Sequence, residues 1–173
     1  GRIVMASKIE QFLFHENLET PFLVIDTGIV RQNYRALHEC MPLAKIFYAV
    51  KANPAREILS ALESEGSSFD AASFQEVEMC LAAGATADRV AYGNVIKKTS
   101  DIAKAFACGI DLFAFDSSVE LEKLASKAPG SKVYCRVRVE GADADWPLSK
   151  KFGCDLDMAI DLMRKSQELG LVP

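Results

Sequence analysis

Apolar residues along this chain follow two spacings. Short runs rich in apolar residues, FLVI at 22–25, IFYAV at 46–50, SFDA at 68–71, RVAY at 89–92, LFAF at 112–115 and KVYCRVRV at 132–139, are each followed by a stretch with an apolar side chain every three or four residues. The runs predict strands buried on both faces, and the stretches predict amphipathic helices that cover them. Residues suited to helix ends stand where the pattern changes. Asp26 or Thr27 caps a helix running through Tyr34 and Leu37 toward Cys40, and Gly66 closes one bearing Ile58, Leu59 and Leu62. Ser73 with Glu76 forms a capping box ahead of Val77, Cys80 and Leu81, and Gly84 ends that helix. Asp116 or Ser117 caps the stretch 119–128. Gly109 stops the helix of Ile102, Ala105 and Phe106, and Gly170 stops a last helix over 156–169.

A strand and helix repeat of about twenty residues implies a parallel sheet with helices packed on it. Five such units follow the opening strand, and Leu171-Val172-Pro173 reads as the start of one more. The expected fold is α/β, the N-terminal part of a (β/α)8 TIM-type barrel with about five to six β/α units. The alternative, a small open doubly wound sheet, needs a glycine-rich first turn, and no G-x-G-x-x-G follows any strand.

The 173 residues are half apolar, enough for one domain with a sizeable core. No run approaches the roughly 20 apolar residues that span a bilayer, and the start lacks the segments of a signal peptide. A cytoplasmic protein without membrane contact is expected. The net charge of −4, with basic residues spread among acids, leaves no basic stripe for nucleic acid. Cys40, Cys80, Cys108, Cys135 and Cys154 lack the paired spacing of a zinc site and read as reduced packing residues; no metal is expected.

On a parallel barrel the residues at the strand ends define the active face. Here they are Lys51, Asp70, Asn94, Asp116, and Arg136 with Arg138. A lysine desolvated at a barrel mouth has its pKa pulled down, which leaves a nucleophilic amine able to condense with an aldehyde. A lysine in that place is ordinarily a solvated loop residue, however, since lysine is rarely buried without a partner. Asp70 stands just before the Ser73 capping box and divides evenly between a helix-end role and a catalytic one. Asp116 is assigned mostly to capping. Arg136 alternates with Cys135 and Val137, so inside a barrel it requires a partner. Glu140, Asp143 and Asp145 lack the spacing of a calcium loop and read as solvated, like Lys150 and Lys151. His15 and His38 fall in N-terminal helical segments, which leaves no Ser/His/Asp or Cys/His arrangement.

Five segments in order, FYAVKANP at 47–54, FDAAS at 69–73, YGNVIK at 92–97, DSSVELEKL at 116–124 and PLSKKFG at 147–153, resemble the pyridoxal-phosphate-dependent ornithine, diaminopimelate and arginine decarboxylases of the alanine-racemase-like barrel fold. The likeness runs from residue 20 to 173. It implies an N-terminal segment over 1–20 and an incomplete cofactor-binding barrel over 21–173, with the later strands and a C-terminal β-domain absent from the chain. The resemblance makes Lys51 the residue that holds pyridoxal 5'-phosphate as an imine and sets Asp70 beside it as a second catalytic residue. It adds Ala49 and Arg136 to the cofactor contacts, joins Glu76 and Arg136 in a buried charge network with Asn94 nearby, and puts Lys151 near a dimer interface.

The implied activity is decarboxylation of a basic amino acid by a homodimer. FDAAS looks like the ornithine form, giving putrescine, whereas diaminopimelate decarboxylases usually show a V-S-G-G-E type sequence there. GADADWPLSKKFGCD at 141–155 is similar to bacterial ornithine or lysine decarboxylases, so lysine follows closely. Two readings of other classes stay open: a noncatalytic regulator of the antizyme-inhibitor kind, against which Lys51 and Asp70 both count, and a single-domain pyridoxal-phosphate carrier.

Overall fold

Five of the six expected strands pair in a computed structural model, which describes residues 7–139 and 152–173. They are β1 (Phe47–Ala49), β2 (Ser68–Ala71), β3 (Val90–Tyr92), β4 (Leu112–Phe115) and β5 (Lys132–Cys135), in the order β1-β2-β3-β4-β5 with every neighbour parallel. Helices α1 (Lys8–His15) and α2 (Thr27–Cys40) precede the sheet. Then α3 (Arg56–Ser64), α4 (Phe74–Ala82), α5 (Thr99–Ala107) and α6 (Ser118–Lys127) alternate with the strands, and α7 (Leu156–Glu168) follows β5.

A strand order that never reverses, joined by right-handed crossovers, puts every connecting helix on one side of the sheet. A doubly wound sheet requires a reversal, so that alternative is removed. The side chains agree. On the helix side Phe69, Ala71, Val90, Tyr92, Phe113, Phe115 and Val133 are buried against Leu59, Val77, Ile102, Leu121 and Leu124. By the two-residue period, Asp70, Ala91, Leu112 and Tyr134 point the other way.

The run at 22–25 is not a strand. Leu23 is 81% exposed, and β1 pairs only with β2 among the described residues. An apolar run becomes a strand only where an edge is present to accept its hydrogen bonds. The fifth strand is also shorter than the expected 132–139: beyond Cys135 the Arg136 amide donates to the Phe115 carbonyl at 2.9 Å, and Val137 makes a parallel bridge to Cys154. The last residues do begin another strand, since Val172 bridges Lys132 in parallel.

Asp26 caps α2 through the Gly28 amide, as the sequence implies, but the capping box at α4 forms by half: the Ser73 hydroxyl accepts from Glu76 N, while the Glu76 carboxylate accepts from the Ala72 amide instead of that of Ser73. Ser117, not Asp116, caps α6. Of the cysteines, Cys80 and Cys154 are buried, whereas Cys40 and Cys108 are exposed and do not pack in the core. Among the described residues no helix is long and apolar enough to cross a membrane.

Candidate active site

β1 ends at Ala49 and passes at once into a single 3-10 turn, Val50–Ala52, that carries Lys51. Val50 is fully buried and anchors the turn. The Tyr48 hydroxyl donates to the Asn53 carbonyl at 3.1 Å, and the Asn53 side chain accepts from the Ala55 amide at 3.1 Å. Ala-Asn-Pro therefore closes the strand and starts α3 while leaving the lysine at the strand's C-terminal end. The desolvated amine expected from a barrel mouth is not found: Lys51 is exposed, and it makes no hydrogen bond or ion pair among the described residues.

Register places Asp70 next to that turn, as the cross-strand partner of Ala49 on one side and of Ala91 on the other. Its carboxyl faces a cavity of about 390 Å³ lined by Phe47, Ala91, Leu112 and Tyr134. Oδ1 of Asp70 is buried and has no hydrogen-bond partner among the described residues. Burial raises the carboxyl pKa, the Lys51 charge opposes that, Glu76 adds to it and Arg136 opposes it. Gly93 allows the close approach, since a Cβ there would fall 1.8 Å from Asp70 Oδ1.

The other expected site residues are distributed around this centre. The Glu76 carboxylate accepts from the Ala72 amide at 2.6 Å, which ties it to the start of α4. Arg136, just past β5, is exposed, and its guanidinium lies 5.4 Å from the centroid of the Phe152 ring. Glu76 and Arg136 both act on Asp70 electrostatically, but they do not form the expected buried network with each other. Asn94 bridges two loops, donating to the Ala72 carbonyl at 3.2 Å and accepting from the Ile96 amide at 3.2 Å. Asp116 accepts from the Gly153 amide at 2.8 Å, so its role is to hold the chain where it returns beside β5. Glu140, Asp143, Asp145, Lys150 and Lys151 lie outside the described residues.

Two residues of this face were missed. Tyr134 shares its side of the strand with Arg136 by the same period of two, a signal that was available; burial and the Asp70 charge push its hydroxyl up to about 12. Lys97 gave no signal beyond its place in YGNVIK. Its side chain is wholly buried against Glu120, and burial pulls its pKa down to about 8 although Glu120 favours the charged form.

Comparison with known proteins gives this arrangement a context. Residues 27–172 match the family model described as pyridoxal-dependent decarboxylase, pyridoxal binding domain. The chain is 36% identical over 156 residues to a lysine/ornithine decarboxylase of Selenomonas ruminantium, covering 90% of this chain and 40% of that protein. It is similar to a Vibrio vulnificus lysine/ornithine decarboxylase solved with putrescine, with a TM-score of 0.83 and 31% identity over 96% of this chain and 44% of that one. A Paramecium bursaria Chlorella virus arginine decarboxylase superposes with a TM-score of 0.79 and 28% identity, over 84% of this chain and 40% of that one. The chain thus spans about two-fifths of the length of these relatives.

Proposed function

Because this chain belongs to the pyridoxal-dependent decarboxylases, we propose that Lys51 is the covalent attachment point of pyridoxal 5'-phosphate, with Asp70 as its acid–base partner and Ala49 and Arg136 in contact with the cofactor. The residues present fit that group. An aldehyde requires a primary amine without a competing partner, and a buried carboxylate oxygen lacking a hydrogen-bond donor has capacity for one. When bound, the cofactor supplies an electron sink for the pair left on the α-carbon as carbon dioxide departs. The chain's own residues set the conditions. Lys51 on its short turn can bind and move a proton at Nζ. Asp70, with its carboxyl shifted upward by burial, can hold a proton where an exposed carboxylate would have lost it. Phe47, Ala91, Leu112 and Tyr134 line the cavity beside that carboxyl. Glu76 and Arg136 act in opposite directions on its charge, and Asn94 supports the rim.

The substrate is a basic L-amino acid, with ornithine first, putrescine its product, and lysine next. FDAAS at 69–73 supports ornithine, and the names of the relatives support the wider class. Diaminopimelate has less support, since FDAAS departs from the V-S-G-G-E type. The same reading makes the protein a cytoplasmic homodimer in which Lys151 lies near the interface.

The observation that carries the proposal is the register of Ala49 on Asp70, which brings the Lys51 turn beside an orphaned carboxylate oxygen. Borohydride reduction of the protein mixed with pyridoxal phosphate, followed by peptide mass mapping, tests it. The reduced cofactor is expected on Lys51, and Lys51→Ala is expected to lose both the label and the imine absorbance. A label on another lysine, or none, rejects Lys51. Carbon dioxide release from ornithine, lysine and arginine ranks the substrates, and a preference for arginine would reject the ornithine assignment.

A further inference from the structure

Beside this face, at the same end of the sheet, sits a buried ion pair that the proposed chemistry does not use. Lys97, in the loop after β3, has Nζ 3.0 Å from Glu120 Oε1, 2.7 Å from the Asn94 carbonyl and 2.5 Å from the Ala114 carbonyl. Glu120, in the first turn of α6, also accepts from the Lys97 amide at 3.1 Å and pairs with Lys123 at 2.5 Å. Burying two charges is expensive, and an apolar pair of similar volume would fill the core as well. What an apolar pair could not do is fix three separate segments by direction. One ammonium group here holds the loop after β3, the end of β4 and the start of α6.

The loop so held is the one that meets Asp70. Gly93 donates to the Ala71 carbonyl at 2.9 Å, and Asn94 donates to the Ala72 carbonyl at 3.2 Å, so the loop lies along the end of β2. Gly93 thereby comes close enough to Asp70 Oδ1 that no side chain fits between them. Resting on the reading of Asp70 as a working residue, we propose that Lys97 and Glu120 are positioning residues that clasp loop 93–97 to the rim, so that Gly93 closes over the Asp70 carboxyl and keeps its inner oxygen out of water.

The test is the titration of the Asp70 carboxyl by carbon-13 NMR in the chain without added cofactor. Lys97→Met and Glu120→Gln are expected to loosen the loop, hydrate the carboxyl and move its titration down toward the ordinary carboxylate range. Amide exchange at Gly93 should quicken by on the order of tenfold. Leu124→Ala, which removes buried volume from α6 without touching the clasp, should lower thermal stability and leave the Asp70 titration in place. Lys97→Arg keeps the charge and serves if Lys97→Met fails to fold; with its different geometry it is expected to shift the titration in the same direction. An unmoved or rising titration in the clasp variants, or an equal shift in Leu124→Ala, overturns the proposal. Because no cofactor takes part, this outcome is independent of whether Lys51 is the attachment point.

Discussion

Burial makes the charged form of the Asp70 carboxyl harder to hold in the folded chain. Its folded pKa is raised, so between the ordinary carboxylate value and the raised one the folded chain binds more protons than the unfolded chain. Stability contributed by this group therefore falls as pH climbs through that window, and the full cost remains above it. Asp70→Asn, similar in shape and uncharged, is expected to melt higher than the parent at pH 7 and no higher at a pH below the ordinary value; calorimetry at the two pH values checks it. Equal or lower stability at pH 7 would instead favour a helix-end role for the carboxylate. Gly93→Ala should rotate the Asp70 carboxyl into the cavity and lower its pKa, because the added methyl occupies the place of Oδ1. The motif around 69–73 was enough to single out Asp70. The Gly93 contact was not legible, since it joins residues 23 positions apart that meet only across neighbouring strands.

Helix starts are the elements most open to local reading, and α6 shows where such reading stops. Asp116 and Ser117 are both good caps, and only the backbone path selects Ser117, whose hydroxyl accepts from Glu120 N. Ser117→Ala is expected to cost about 1 kcal/mol in denaturant unfolding. Asp116→Ala should leave α6 capped and instead free the Gly153 amide, which proton exchange at that residue would report. β5 makes the same point for a strand. Its apolar alternation runs to Val139, but after Cys135 the chain pairs with the segment at Cys154 through single contacts, with the Arg138 amide donating to the Cys154 carbonyl at 2.8 Å. Periodicity records which faces are apolar and carries no information about how far a partner extends.

Among the described residues the helices cover one face of the sheet, and apolar grooves flank it at β1 and at β5. A groove of about 470 Å³ beside β1 includes Val30, Tyr34, Leu37 and Ile46, and another of about 720 Å³ between β5 and α7 includes Val137, Leu156, Ile160 and Met163. On the second flank Leu156, Ile160 and Val137 are 65%, 46% and 37% exposed, and apolar side chains gathered in this way favour association. The chain is expected to sediment with concentration-dependent mass and to bind an apolar dye, and Ile160→Glu, at a 46% exposed position, should reduce both without lowering the melting temperature. The alternation of strands and helices from residue 46 onward, most of the helix caps and the set of polar residues near the strand ends were determined by the sequence alone, because each depends on neighbours a few positions away. The tertiary structure alone decided that residues 22–25 do not pair, that Lys51 stands in solvent, that Asp116 reaches Gly153, and that Lys97 and Glu120 share a dry contact. Each of those outcomes depends on which groups lie across the sheet, and burial and charge energies are fixed by that distance in space rather than by separation along the chain.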